Sequence, residues 1–586
     1  MDLAQECVLT NKMSKLVADT MKASLFDYAF DSDKVPSLNL HYFCYDYLET
    51  QNLVDKNIMD EGNMQPLCDE LEYLISSSYW KPSGVTNAIL SFRTRLKHGE
   101  YEDLSSRKSD IENGYKGKLE YYKHSVEYLA ELFTSESSYA KMLLNRIAFL
   151  LDSPYSLENS NQIIFCTREF LSELINGEVS KQHLFYQVNK FLYQKTKKDV
   201  KTSDRDYLME FLCSLLPKET EYEVIFGIDN DIHNSLSKST KYTRLATKEE
   251  ASSLKTSYVC HFRAEIMPIT AYDYVSALSV AKELFSDCLA AYNLGLHAPA
   301  FSPKPNGLVK KVGKEHFSLI KDSSNTLRRI ENKRRKDNEK VLNLMFNECF
   351  DTHVEELFSL HNSALLAQNK TSQLLNLWTI IEVAIDTRQS FACRINYITD
   401  ILSPILSIVY YKRLFERLYK YIAKNKEARR CIEKNYPGNS AIESFALCVK
   451  NGKTDVKDFF NDNLYMSFQF ERLTNLFSSK KILSEDWNRH LKRIRWQLSR
   501  IYKTRCMIVH DGRKTPYIEN LVENLHYYVD ELFNYIIYNT ERGIVSLDAI
   551  LSAARIKEYE IVSFLSDKKG SESITDDDFL NIFITR

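Results

Sequence analysis

Glycine and proline are scarce in this chain. Its 586 residues include 15 glycines and 12 prolines, together under 5%, against about 12% in average proteins. So little punctuation excludes collagen-like, linker-rich and turn-dense all-β architectures and favours long helices. Net charge is nearly lacking as well: 77 Lys and Arg face 79 Asp and Glu, a formal charge of -2. A near-neutral whole excludes a protein that coats nucleic acid along its length, so any nucleic-acid site is expected to be a local patch. Closely spaced cysteines are missing. The nearest pair among the 12 is Cys431 and Cys448, which excludes zinc-ribbon spacing and leaves reduced, mostly buried thiols as the expectation. No basic segment followed by an apolar run opens the chain. The most membrane-like stretch, 401–411, is about half the length a bilayer needs and contains Pro404. A soluble, cytoplasmic protein is expected.

What is present is core material. Hydrophobic residues make up 44% of the chain, with 36 Tyr and 31 Phe, which excludes a largely disordered protein. Residues 1–200 read as helices joined by polar loops and carry no nameable chemistry. Around 201–340 the pattern changes. Residues 223–228 and 257–267 are β-branched, aromatic or alternating and read as strands, the second ending at Pro268. Thr270 and Asp273 then offer helix-start oxygens. A small α/β module plus a connecting helix is expected there. The connecting run 327–340 carries seven basic residues and three acids; it reads either as a nucleic-acid contact or as a solvated helix of mixed charge.

Residues 341–550 are almost continuously helical in pattern and predict a bundle. Thr515 can cap and Pro516 suits a first helical position. From there Ile518, Leu521, Val522, Leu525, Val529, Leu532, Phe533 and Ile536 follow helical spacing. Residues 551–586 predict a short terminal helix or a tail. The fold class is therefore mainly α: an N-terminal helical region (1–200), a small α/β module (201–340), a helical bundle (341–550) and a C-terminal tail (551–586).

Established catalytic frames fail. Gly307 and Gly313-Lys314 have the wrong spacing for a phosphate loop, and Glu315 stands where Ser or Thr is needed. There is no GxSxG elbow, no HExxH and no Gly-rich dinucleotide turn. What remains is the segment 486–514, with nine Lys or Arg against two acids. Trp487, Leu491, Ile494, Leu498, Ile501, Ile508 and Val509 are expected to give it a buried face, leaving cations for another. Gly512 suits the position past a helix end and places His510 in the last turn. A histidine there can move a proton near neutral pH, and Arg505 is a planar cation suited to a phosphate. The spacing Arg505-x4-His510 is weak alone, since Arg93-x4-His98 repeats it.

Its context is more specific. Asn376-Leu-Trp-Thr-Ile-Ile-Glu382 on an apolar helix, then Arg505–His510 continuing as Ile-Val-His-Asp-Gly-Arg, then a long amphipathic helix, resembles HEPN ribonuclease domains. The resemblance is greatest to the ApeA-like branch of bacterial abortive-infection and antiphage proteins, and it covers about 350–545. It implies metal-independent endonucleolysis of RNA, with attack by a substrate 2′-hydroxyl and Arg505 and His510 as catalytic residues. It implies no cofactor, a homodimer through the bundle, and a phage-derived trigger acting on a sensor region N-terminal to it. A structured tRNA loop would suit such a nuclease. Arg500, Lys503, Arg513 and Lys514 are candidates to hold the RNA backbone. Glu382 either faces the site or pairs with a nearby arginine. The family commonly has Asn where this chain has Cys506, a weak hydrogen-bonding residue, which would retune or reduce activity. Two alternatives stand beside this reading. One is a non-catalytic HEPN module that binds RNA, nucleotides or protein; the other is a helical scaffold in which the motif is coincidental.

Overall fold

The architecture was described from a computed structural model, which covers residues 7–26, 38–76, 122–134, 138–194, 202–228, 243–245, 262–296, 303–321, 334–347, 350–367, 369–385, 394–567 and 573–584. The Arg93–His98 pair and residues 327–333 of the basic run lie outside the described residues. The protein is mainly α-helical with one small antiparallel sheet. It divides into two compact units, Met1–Phe170 with Arg329–Arg586, and Leu171–Arg328. The first helices thus share a unit with the C-terminal bundle, a different partition from the four consecutive regions expected.

The smaller unit holds strands β1 (Thr220–Ile228), β2 (Thr243–Leu245), β3 (Phe262–Ala271), β4 (Pro303–Lys311) and β5 (Ser318–Lys321), in the order β2-β3-β1-β4-β5. All pairings are antiparallel. Pro268 does not end its strand, contrary to expectation. Tyr222 pairs with Ile269 and Val224 with Ile266, so Glu223 faces both Met267 and Pro268 in a bulge. A bulge is where a strand tolerates a residue without an N–H. The helix Tyr274–Leu296 follows. Asp273 caps it, its Oδ1 accepting from the amides of Val275 (2.8 Å) and Ser276 (3.0 Å). Ala277, Leu278, Ala281 and Phe285 of this helix cover Tyr222, Val224 and Phe226. Gly307 permits the close approach: a Cβ there would lie 2.4 Å from a methyl of the buried Leu278. The Gly307–Lys314 stretch is strand and hairpin turn, with Gly313 at φ +81°.

In the larger unit three long helices make the frame: Arg394–Ile422, Lys480–Asp511 and Ile518–Thr540. The apolar run 401–411 lies inside the first and is buried among its neighbours. Among the described residues no helix is long and apolar enough to cross a membrane. The third buries Leu521, Val522, Leu525, Val529, Leu532, Phe533 and Ile536 as their spacing requires. It starts later than expected, with Tyr517 at the cap and Thr515 buried before it. The Tyr517 hydroxyl is engaged elsewhere, as described below. The C-terminal segment is no loose tail. The helix Leu547–Ser566 joins the bundle, and Asp576–Phe579 brings Phe579 and Phe583 against Phe477, with ring centroids 4.9 and 5.6 Å away. Lys450 anchors Asp576 at 2.6 Å. Six of the eight described cysteines are buried.

The two longest helices meet at a stacked pair. The rings of Tyr410 and His490 lie 3.7 Å apart, and neither imidazole nitrogen has a hydrogen-bond partner. Burial, with Arg493 nearby, lowers the His490 pKa from 6.5 to about 3. The unfolded chain therefore binds a proton between these values that the folded chain refuses. His490 contributes stability above pH 6.5, and that contribution falls away as pH drops toward 3. Between pH 7 and pH 5 the loss should be on the order of 2 kcal/mol. In His490→Phe, which keeps the stack, the unfolding free energies from urea titrations at the two pH values should differ by that much less.

Candidate active site at the end of the long helix

The helix Lys480–Asp511 carries the candidate residues. Ser479 caps its start, accepting from the Ile482 amide at 3.3 Å, and Gly512 ends it at φ +65°. Glycine takes that left-handed conformation without the Cβ penalty. His510 is exposed in the last turn, as the position of Gly512 leads one to expect. Among the described residues its imidazole has no hydrogen bond and no ion pair. Next to it, Arg513 donates to Asp511 at 2.7 and 3.2 Å and lies 3.8 Å from Glu49. The bond from Arg513 holds the Asp511 carboxyl below its usual range. Lys514 is exposed.

Arg505 lies one and a half turns back and is partly covered, its side chain 25% exposed. Its guanidinium sits 3.6 Å from Glu382, which also lies 3.6 Å from Arg394. The helix-to-helix pair is therefore the arrangement Glu382 adopts. At 3.6 Å the contact is an ion pair without hydrogen-bond geometry, so the guanidinium is held loosely. Trp378, one turn before Glu382, is fully buried, 5.8 Å from the Tyr502 ring, and is core. Five helical positions put Arg505 and His510 about 140° apart around the axis and about 7.5 Å along it. Within one chain they share a helix end and not a face.

Cys506 is buried with Leu53, Met59 and Met507. Burial raises its pKa, against the pull of hydrogen bonds with Tyr502 and Arg505. A buried thiol with a raised pKa is poorly suited to act as a nucleophile.

Arg500 and Lys503 are not surface cations awaiting a phosphate backbone. Their side chains are 2% and 3% exposed. Arg500 donates from Nε to Asp46 at 3.1 Å, and from its two terminal nitrogens to Gln497 at 3.3 Å and Glu70 at 2.6 Å. Lys503 donates to Asp46, to Glu49 at 3.1 Å and to the Tyr517 hydroxyl at 3.2 Å, which uses all three ammonium protons. The Tyr517 hydroxyl donates its own hydrogen bond to Asp46 at 2.5 Å. Burial alone would raise the Asp46 pKa, but Lys503, Arg500 and these hydrogen bonds bring it down to about 2. Glu70 goes the other way: its burial outweighs Arg500 and raises it. Asp46 and Glu49 come from the helix Leu40–Asp55 and Glu70 from Met64–Ser76. These acids were missed in the sequence because the cations they pair with stand 430 to 457 residues away. The only signal was a lone Asp46 in the apolar Tyr42-Phe-Cys-Tyr-Asp-Tyr-Leu48 run.

The local excess of positive charge is thereby largely consumed. Arg493 bonds the Tyr73 hydroxyl at 2.9 Å and Arg495 pairs with Asp400 at 3.1 Å. Arg489, Lys492, Arg513 and Lys514 remain exposed. Compared with protein-family models, curated proteins and solved structures, the chain matches none.

Replacing Asp46 with Ala removes the carboxylate that two buried cations share and should lower folding stability by about 3–5 kcal/mol. Adding Lys503→Met to that background should recover part of the loss. Urea unfolding followed by circular dichroism reads both.

Proposed function

We propose that the protein is a metal-independent endoribonuclease of the HEPN type, acting in bacterial defence against phage. The observation that carries this is the helix end itself. It holds an exposed imidazole at His510, a loosely held guanidinium at Arg505 and further exposed cations at Arg513 and Lys514. In this reading a phosphate displaces Glu382 from Arg505, which a 3.6 Å ion pair permits. His510 takes the proton from the RNA 2′-hydroxyl as that oxygen attacks the adjacent phosphorus. The 5′ oxygen of the next nucleotide leaves, taking a proton from solvent water, and a 2′,3′-cyclic phosphate remains. Because Arg505 and His510 point about 140° apart on one helix, a second copy would complete the site, which is the role of the homodimer. Single-stranded RNA, as in a tRNA loop, presents the 2′-hydroxyl in the required geometry. A phage-derived trigger acting on the N-terminal helices would reach the nuclease helix directly, since Asp46, Glu49 and Glu70 bind it.

A second reading has its own support. The Arg505–Glu382 pair and the thiol at Cys506 fit a module that binds RNA or a partner without cutting.

Purified full-length chain should cleave total tRNA in EDTA and leave cyclic-phosphate ends. His510→Ala and Arg505→Ala should each reduce the rate about 100-fold or more, with unchanged circular dichroism. Glu382→Gln should leave cleavage intact or raise it, by freeing Arg505. Binding without cleavage in the presence of phage-infected extract would establish the second reading.

A further inference from the structure

A cluster outside this site has the composition of a metal centre. His361 lies on the helix Thr352–Leu366, and His526 and Asp530 lie on Ile518–Thr540. The two imidazole Nε2 atoms face each other at 3.2 Å. Asp530 comes within 3.9 Å of His361 Nε2 and 3.7 Å of His526 Nδ1. One ligand atom from each residue can be chosen so that all three lie within 4.8 Å of one another. His526 and Asp530 are four apart, the spacing that puts two side chains on one helical face. The sequence displays that spacing, but the third member is 165 residues away.

We propose that His361, His526 and Asp530 bind one zinc-class divalent cation. Three observations point that way. First, two nitrogens 3.2 Å apart match two ligands about 2.0–2.1 Å from a shared tetrahedral zinc. Second, the donor set is borderline: two imidazoles and a carboxylate suit zinc and its late first-row neighbours, whereas magnesium and calcium prefer all-oxygen sets. Third, the surroundings fit. The Phe533 ring meets His361 edge-on at 5.4 Å and stacks on Phe358 at 5.1 Å, an apolar wall that orients the imidazole. Solvent still reaches the cluster, with His361 and Asp530 side chains 22% and 23% exposed and His526 9%. An ion can enter, and a fourth position is left for water or an external ligand, as in open zinc sites. Because the site ties together two helices of the bundle, occupancy should stabilise the folded chain.

The test uses full-length chain stripped with a chelator and desalted, with zinc chloride as the probe. Zinc bound after gel filtration is counted by mass spectrometry, and the thermal midpoint is read with and without the ion. The chain also has other histidines and cysteines, so the comparison is between parent and variants. His361→Asn, at a half-buried position, and Asp530→Asn should each retain the parent's circular dichroism. Parent should hold one more zinc per chain than His361→Asn, and its midpoint should rise with zinc where the variant's does not. Affinity should fall at least tenfold in both variants. Cobalt in place of zinc should give tetrahedral visible absorption in the parent alone. Equal zinc in parent and His361→Asn, or no zinc-dependent midpoint shift in the parent, would overturn the proposal.

Discussion

The larger unit depends on one buried charge. Asp46 has no exposure, yet it stays ionised because Lys503, Arg500 and the Tyr517 hydroxyl converge on it. An isolated carboxylate in that position would be too costly to keep charged. The price of burial is offset only by a full set of partners, and the set spans three separated parts of the chain: the first helices, the long helix and the start of the next one. This constraint explains several local features together. It draws Tyr517 inward, so the following helix starts at Ile518. It removes Arg500 and Lys503 from the surface. It binds the N-terminal helices to the segment that carries Arg505 and His510.

Legibility in the sequence followed the range of the interaction. Short-range signals were readable: the buried stripe of 518–540, the Asp273 cap and the Gly512 stop each depend on residues within one or two turns. The Glu382–Arg505 pair was readable as one of two options, because a charged residue on an apolar helix needs a partner. Arg500 and Lys503 were misread because a charge count says how many cations a segment has and not which are already paired. The choice between a short terminal helix and a tail for 551–586 stayed open for a related reason. Three adjacent aspartates, 576–578, dominate a short segment whose two aromatic rings decide its fate. Pro268 marks a third limit: its strand continues because Pro268 falls in a bulge of that strand, and pairing partners cannot be seen from one strand alone.

Electrostatics divides the long helix into two parts with different tasks. Up to Lys503 its cations serve cohesion, most of them engaged with acids or hydroxyls of other helices. Beyond it the contacts loosen, from the 3.6 Å pair at Arg505 to the solvent-facing imidazole at His510. A heavily paired stem ending in a loosely paired tip would suit the proposed site, because the stem fixes position while the tip stays available.

The separation of Asp46 from its partners also bears on how the chain is made. At about 5–20 residues per second, a ribosome needs roughly 20–90 s to travel from Asp46 to Lys503. During that interval the first helices have been synthesised but their acidic side chains have nothing to bind. Their final docking therefore waits until residue 503 has been made. A chain interrupted anywhere before residue 500 would release helices that lack the cations they were built around, and such fragments are natural clients for chaperones and proteases.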